Sequence, residues 1–288
     1  MWQILILFYF LFGTASYLLR RVLAQKVGEH NRLINAIFYV CFLVPAIIIL
    51  SFLFPHNLHI GFTNVVLLLL NGLVYPLYFL ISFRANRTVD AGVFTIINNL
   101  SPIFTLVIAL PFLHESLAGV QYIGGALLIL SGILVAYPKW KAGRHTGASG
   151  IFICLGAAAV LGFAVAYERF MLNRVDFGTY IMIGWSAQVI WALIFAHREI
   201  KNIPLLLGRS SPVRNLVLVW GSVSALRSVA FVTSLKTSGS ASLVSAASDF
   251  LSVAVVVAAY FFLKERENMV VKMIAVVIGV GGLLLIAK

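Results

Sequence analysis

Arg227 interrupts the apolar run "GSVSALRSVAFV", and Asp249 interrupts "LVSAASDFLSVAVVVAA". Arginine offers a planar fork of donors that matches a carboxylate or a phosphate. Aspartate offers a counter-charge, and desolvation lets it take a proton. This is the chemistry of holding a charged solute and carrying a proton with it. Both are candidate substrate-binding residues, and Asp249 is the candidate coupling residue. Further polar groups stand in apolar runs: Asn98 and Asn99 in "TIINNLSP", Tyr75 and Tyr78 in "GLVYPLYFL", Trp185 and Gln188 in "IGWSAQVIW". The spacing of the last two puts them on one helix face. All six are candidate lining of a substrate cavity. Each also has a plainer reading: amides that bond neighbouring helices, tyrosines and a tryptophan packed in a core, and for Arg227 and Asp249 a structural ion pair. Tyr167 and Glu168 close an apolar run and read as interfacial anchors or as an external gate.

Bond-making chemistry finds no support, so the chain is not expected to be an enzyme, and no metal or cofactor is expected. His56 and His59 have no carboxylate beside them, "HE" at 114–115 lacks a second histidine, and "GVGG" at 279–282 sits in an apolar helix rather than a dinucleotide turn. Without a phosphate-binding loop, transport would run on an ion gradient, with protons as one possible partner, or on exchange.

The elements that must position these residues follow from composition. The chain is 61% hydrophobic and 10% charged, against about half and about a quarter in soluble domains. Its mean hydropathy is +1.03. It is expected to be an all-α polytopic membrane protein embedded in a lipid bilayer. The net charge of +12 falls in short links and marks membrane orientation, not nucleic acid. Cys41 and Cys154 read as inert buried thiols. Spanning takes about 20 apolar residues, and ten segments qualify: 2–19, 33–54, 62–83, 90–113, 118–137, 149–171, 177–196, 214–235, 240–263 and 268–287. "IPLLL" in the link before the eighth reads as a short interfacial element. Proline at 45, 76 and 102 predicts kinks with freed carbonyls.

Arg227 lies just after the centre of the eighth segment and Asp249 just before the centre of the ninth, which places them at matched depth on a hairpin. The links after the first, third, fifth, seventh and ninth segments hold sixteen Lys and Arg, and the opposite links and the C-terminus hold Arg169, Arg174, Lys236 and Lys288. The positive-inside rule makes the first set cytoplasmic and both termini non-cytoplasmic. The expected location is a bacterial inner membrane.

"FLHESLAGVQYIGGALLILSGILVAYPK" (112–139) overlays "FLKERENMVVKMIAVVIGVGGLLLIAK" (262–288), and "GTASYLLRRVL" (13–23) overlays "GFAVAYERFML" (162–172). The chain is read as two repeats, 1–140 and 148–288, of five helices each. Five is odd, so the second is inverted, an arrangement that goes with alternating access around a midplane site. The same overlay puts Asn99 opposite Asp249. Glu115 and Glu265 read as solvated turn residues.

The stretch "NNLSPIFTLVIALPFLHESLAGVQYIGGALLILSGILV", with "FLKE" repeating its mark in the second half, resembles the EamA-type members of the drug/metabolite transporter superfamily. The resemblance covers essentially the whole chain. It implies a ten-helix 5+5 inverted-repeat fold and transport of amino acids, other metabolites, cationic drugs, nucleotide sugars or lipid-linked sugars. It also implies helix contacts, or a homodimer as in smaller relatives, near Ala275 and Gly279. Ten-helix members keep both termini in the cytoplasm, where the charge count here argues the reverse. The reading is a secondary transporter of a small polar metabolite, amino-acid-like or an organic anion. An exporter of cationic drugs or lipid-linked substrates stays open, as does a non-transporting membrane scaffold or sensor.

Overall fold

The computed structural model describes residues 2–27, 30–57, 59–105, 107, 119–141, 145–208, 211–238, 251–265 and 267–286. Asp249, Glu115 and the small-residue run before Asp249 lie outside them. Ten main helices stand among the described residues: α1 Trp2–Val27, α2 Asn31–Leu53, α3 Phe62–Thr88, α4 Ala91–Asn98, α5 Gly119–Lys141, α6 His145–Leu172, α7 Phe177–Ala196, α8 Arg214–Ser238, α9 Leu251–Phe262 and α10 Met269–Ile286. Five helices among the described residues, in α1, α2, α3, α6 and α7, are long and apolar enough to cross a membrane. The protein is an integral, multi-pass membrane protein.

The kinks expected at proline take specific forms. Pro45 follows a π-helical turn at Tyr39–Leu43 in α2, while Pro76 lies inside an otherwise continuous α3. A second π-helical turn, Tyr180–Trp185, re-phases α7. Such turns shift which side chains face a neighbour; Trp185 closes this one and Gln188 follows it in regular α-helix. "IPLLL" forms the short helix Ile203–Leu207, but Leu206 is buried in the core, so it packs against the protein rather than lying free. Cys41 is exposed and only Cys154 is buried.

Lipid tails are as apolar as leucine, so helices here associate through close packing. α1 packs along α8, α3 along α6, α5 along α10, α2 along α7 and α4 along α9. A methyl group at Gly282 of α10 would stand 2.6 Å from the Gly124 carbonyl oxygen of α5, and one at Gly72 of α3 would stand 2.4 Å from Ala187 Cβ of α7. Ala275 is buried, and Gly279 faces Ser131 of α5, so within the chain these small positions already serve the α5–α10 contact. The outer surface carries Leu7, Leu11, Phe52, Phe62, Phe152 and Phe262, all well exposed, as a lipid-facing belt requires.

Candidate functional site

Along α3, Asn71, Tyr75, Tyr78, Ser82 and Asn86 recur at the three- and four-residue steps that stack side chains on one face. Asn71, Tyr78, Ser82 and Asn86 are buried. An unmade hydrogen bond there costs about 1–3 kcal/mol, and the stripe finds partners on four helices. Asn71 Oδ1 accepts from Tyr180 Oη of α7 at 3.2 Å. Tyr75 Oη donates to Glu168 Oε2 of α6 at 2.5 Å. Tyr78 Oη donates to Asn98 Oδ1 of α4 at 3.4 Å. Ser82 Oγ accepts from Arg20 Nη1 of α1 at 3.3 Å, and the Asn86 carbonyl accepts from Arg21 of α1. Asn35 of α2 adds a bond to the Pro76 carbonyl at 3.3 Å.

Two guanidinium groups meet midway down this file. The Arg20 guanidinium carbon lies 5.3 Å from the Tyr17 ring centroid, 5.7 Å from that of Phe79 and 6.0 Å from that of Phe83. That of Arg227, on α8, lies 5.4 Å from the same Tyr17 ring and 5.8 Å from Tyr9. Each such contact is worth about 0.5–2 kcal/mol, less than a buried cation loses on leaving water. Arg20 Nε and Arg227 Nη1 are buried and unbonded. Among the described residues no carboxylate lies within ion-pair distance of either arginine. Ser16 Oγ and Ser224 Oγ, 2.7 Å apart, tie α1 to α8 beside them. The arrangement presents two positive donors, tyrosine hydroxyls and amides, a set of groups whose chemistry suits an anion.

The end of the bundle that holds the basic links is closed by a second charged cluster. Lys272 Nζ donates to Asp90 Oδ2 at 3.2 Å. Arg21 lies 3.8 Å from Asp90 and 3.5 Å from Glu265. Glu265 in turn accepts from the backbone N–H groups of Ala91 and Gly92, at 3.1 and 3.4 Å, at the start of α4. That position suits an anion, because the first N–H groups of a helix lack partners within it. Burial and the Asp90 charge push the Glu265 carboxyl above its usual range, against the pull of the Ala91 N–H, Arg21 and Lys272. A crevice of only about 10 Å³ remains beside Asp90 and Lys272, too small for any solute.

The structure relocates several residues read from the sequence. Glu265 is not a solvated turn residue: its side chain is 10% exposed. Arg20, Arg21 and Lys272 are not free link charges, because α1 runs on to Val27 and Lys272 lies inside α10. Glu168 turns inward to Tyr75 rather than anchoring at an interface, whereas the half-buried Tyr167 donates to the Leu67 carbonyl at 2.9 Å. Asn98 joins the stripe through Tyr78, and Asn99 sits half-buried in the turn after α4. Trp185 and Gln188 are buried, Trp185 in the apolar core, with the Gln188 backbone against Gly72. Asn71, Ser82 and Asn86, although their spacing was visible in the sequence, were missed there, as were Tyr17 and Arg20.

Residues 2–137 match the model of the EamA-like transporter family. That stretch, a little under half of the chain, is similar to the drug/metabolite transporter superfamily. No curated protein matches it. The matched residues include α1 and α3 and therefore most of the polar file, with Arg20, Tyr75, Tyr78 and Asn98 among them. Arg227 and Glu168, the charges supplied from α8 and α6, fall beyond them. The likeness points to a transporter of the drug/metabolite type, and transporters of that family are not enzymes.

Proposed function

We propose that the protein is a secondary transporter of a small organic anion, and that the anion binds between Arg20 and Arg227 over the Tyr17 ring. The observation that carries this is a buried and a half-buried arginine, sharing one tyrosine, each with a buried donor nitrogen left unbonded. A scaffold gains nothing from such an arrangement, because like charges in a low-dielectric interior repel and lose hydration. The helix pairings support alternating access between inverted repeats 1–140 and 148–288. Exchanging each helix with the one five places along turns α1–α8 into α6–α3 and maps α2–α7, α4–α9 and α5–α10 onto themselves. In this reading the basic end is cytoplasmic, both termini lie outside, and the Asp90–Lys272–Arg21–Glu265 cluster is the closed inner seal. Asp249 remains a candidate coupling residue.

The test is thermal unfolding of the detergent-solubilised protein with inorganic phosphate, succinate, glutamate and, as a cationic control, tetraphenylphosphonium. At least one anion is expected to raise the melting temperature, because a ligand of the folded state stabilises it. Arg227→Gln and Arg20→Gln should each weaken that anion tenfold or more, about 1.4 kcal/mol. Stabilisation by the cation alone would overturn the reading. A second reading draws on an apolar groove of about 590 Å³ between α1 and α9, lined by Phe10, Val257 and Phe261 and open to the lipid side. It would admit the tail of an amphiphilic anion, and lysophosphatidate outcompeting inorganic phosphate would favour it.

A further inference from the structure

We propose that Glu168 is a proton-binding site of this transporter, and that its charge state is linked to occupancy of the arginine pair. The inference rests on the anion reading above and extends it to the coupling ion, at a residue other than Asp249. Among the described residues, Glu168 is the one carboxylate set inside the membrane-spanning helices. Among the side chains that the structure describes, no cation lies within ion-pair distance of it. Among the described side chains, the titratable groups facing it are phenols: Tyr75 from α3, Tyr180 from α7 and, beyond them, Tyr39 from α2. Tyr167, next to it on α6, points to the Leu67 carbonyl. A charge fixed inside a spanning helix is costly unless paired, so a permanent carboxylate would be expected to hold an arginine or lysine.

The hydroxyl partners suit a group that changes state. A phenol can donate or accept, so Tyr75, 2.5 Å away, serves the carboxylate as a donor and the protonated acid as an acceptor. The α3 stripe connects this group to the anion site, because Tyr75 is followed one turn later by Tyr78 and then by Ser82, which holds Arg20. Negative charge on Glu168 opposes an anion further down the same low-dielectric file, and a proton removes the opposition. By linkage, proton and anion then favour one another's binding, which is the behaviour of a proton–anion symporter.

Two measurements on the full-length purified protein decide the matter. The first is infrared spectroscopy across a pH 5 to 9 titration, which needs no substrate. The wild type should show a protonated-carboxyl carbonyl band that bleaches as pH rises. That band should be missing in Glu168→Gln, retained but displaced in Glu168→Asp, and shifted in Tyr75→Phe through loss of its hydrogen bond. An unchanged band in Glu168→Gln, or no band at any pH, overturns the proposal. The second is the thermal-shift affinity for inorganic phosphate and succinate against pH. In the wild type it should tighten severalfold as pH falls, and in Glu168→Gln it should stay at the low-pH value. Identical pH dependence in both proteins overturns the linkage even where the band is present. Absence of any anion shift in the wild type overturns the transport reading instead, and the infrared result still decides whether Glu168 takes the proton.

Discussion

Asp176 shows how a single side chain sets the start of a spanning helix. Its carboxylate accepts from the Thr179 backbone N–H at 2.8 Å and caps α7. Slight burial raises its pKa, but the hydrogen bonds from Thr179 outweigh this and hold the carboxyl below its usual range. A lowered pKa means that the contribution is complete above the ordinary aspartate value and is lost as pH falls through the lowered one. Asp176→Ala should therefore cost about 1 kcal/mol at pH 7. The gap between variant and wild type in thermal unfolding should close as the pH is lowered past the aspartate range. Residues of this kind are legible in a sequence, since an aspartate before an apolar run marks a helix start. Arg20 was not. One position beyond an apolar run, it reads as an inner-link charge, and only the continuation of α1 to Val27 carries it under the seal and onto the Tyr17 ring.

The ten segments were legible at the scale of elements, because twenty apolar residues in a row admit little else. The ties between segments were not. "FLKE" gives no sign that Glu265 reaches the start of α4, a contact 174 residues away in sequence. The polar stripe on α3 was open to a reader who tested four-residue steps inside an apolar run, but the four helices it meets are a property of the packed bundle. The seal carries its own pH dependence. Its arrangement raises the Glu265 pKa above that of a solvent-exposed glutamate, so proton binding favours the closed form. That preference is complete below the ordinary glutamate value and fades as pH climbs through the raised one. With Cys41 and Cys154 replaced, a cysteine at Ser82 should react faster with a maleimide applied from the basic end as pH rises, once its rate is divided by that of free cysteine at the same pH to remove thiolate formation. Adding Glu265→Gln should remove that rise, and an unaltered pH profile would count against the cluster as a seal.

Orientation belongs to the whole molecule, and two lines of argument disagree about it. The ten-helix pattern of the family sets both termini in the cytoplasm, whereas sixteen basic residues in the links at one end against four opposite set them outside. Arg20, Arg21 and Lys272 belong to the sixteen yet are held in buried contacts, so their positions are explained by structure as well as by topology. The remaining thirteen still outnumber the four, which favours the proposed cytoplasmic basic end. In intact cells, with the native cysteines replaced, Asn173→Cys after α6 should react with an impermeant maleimide. Gly143→Cys between α5 and α6 should react only once the membrane is opened. The reverse result would turn the molecule over, with the Asp90–Lys272 seal facing outward and the Glu168 end facing the cytoplasm. The proton and anion sites would keep their geometry, because each lies inside the bundle. What would change is the compartment that fills Glu168 while the seal is closed: the exterior if Asn173 reacts first, the cytoplasm if Gly143 does. The labelling pattern thus decides which compartment supplies the proton in this closed form.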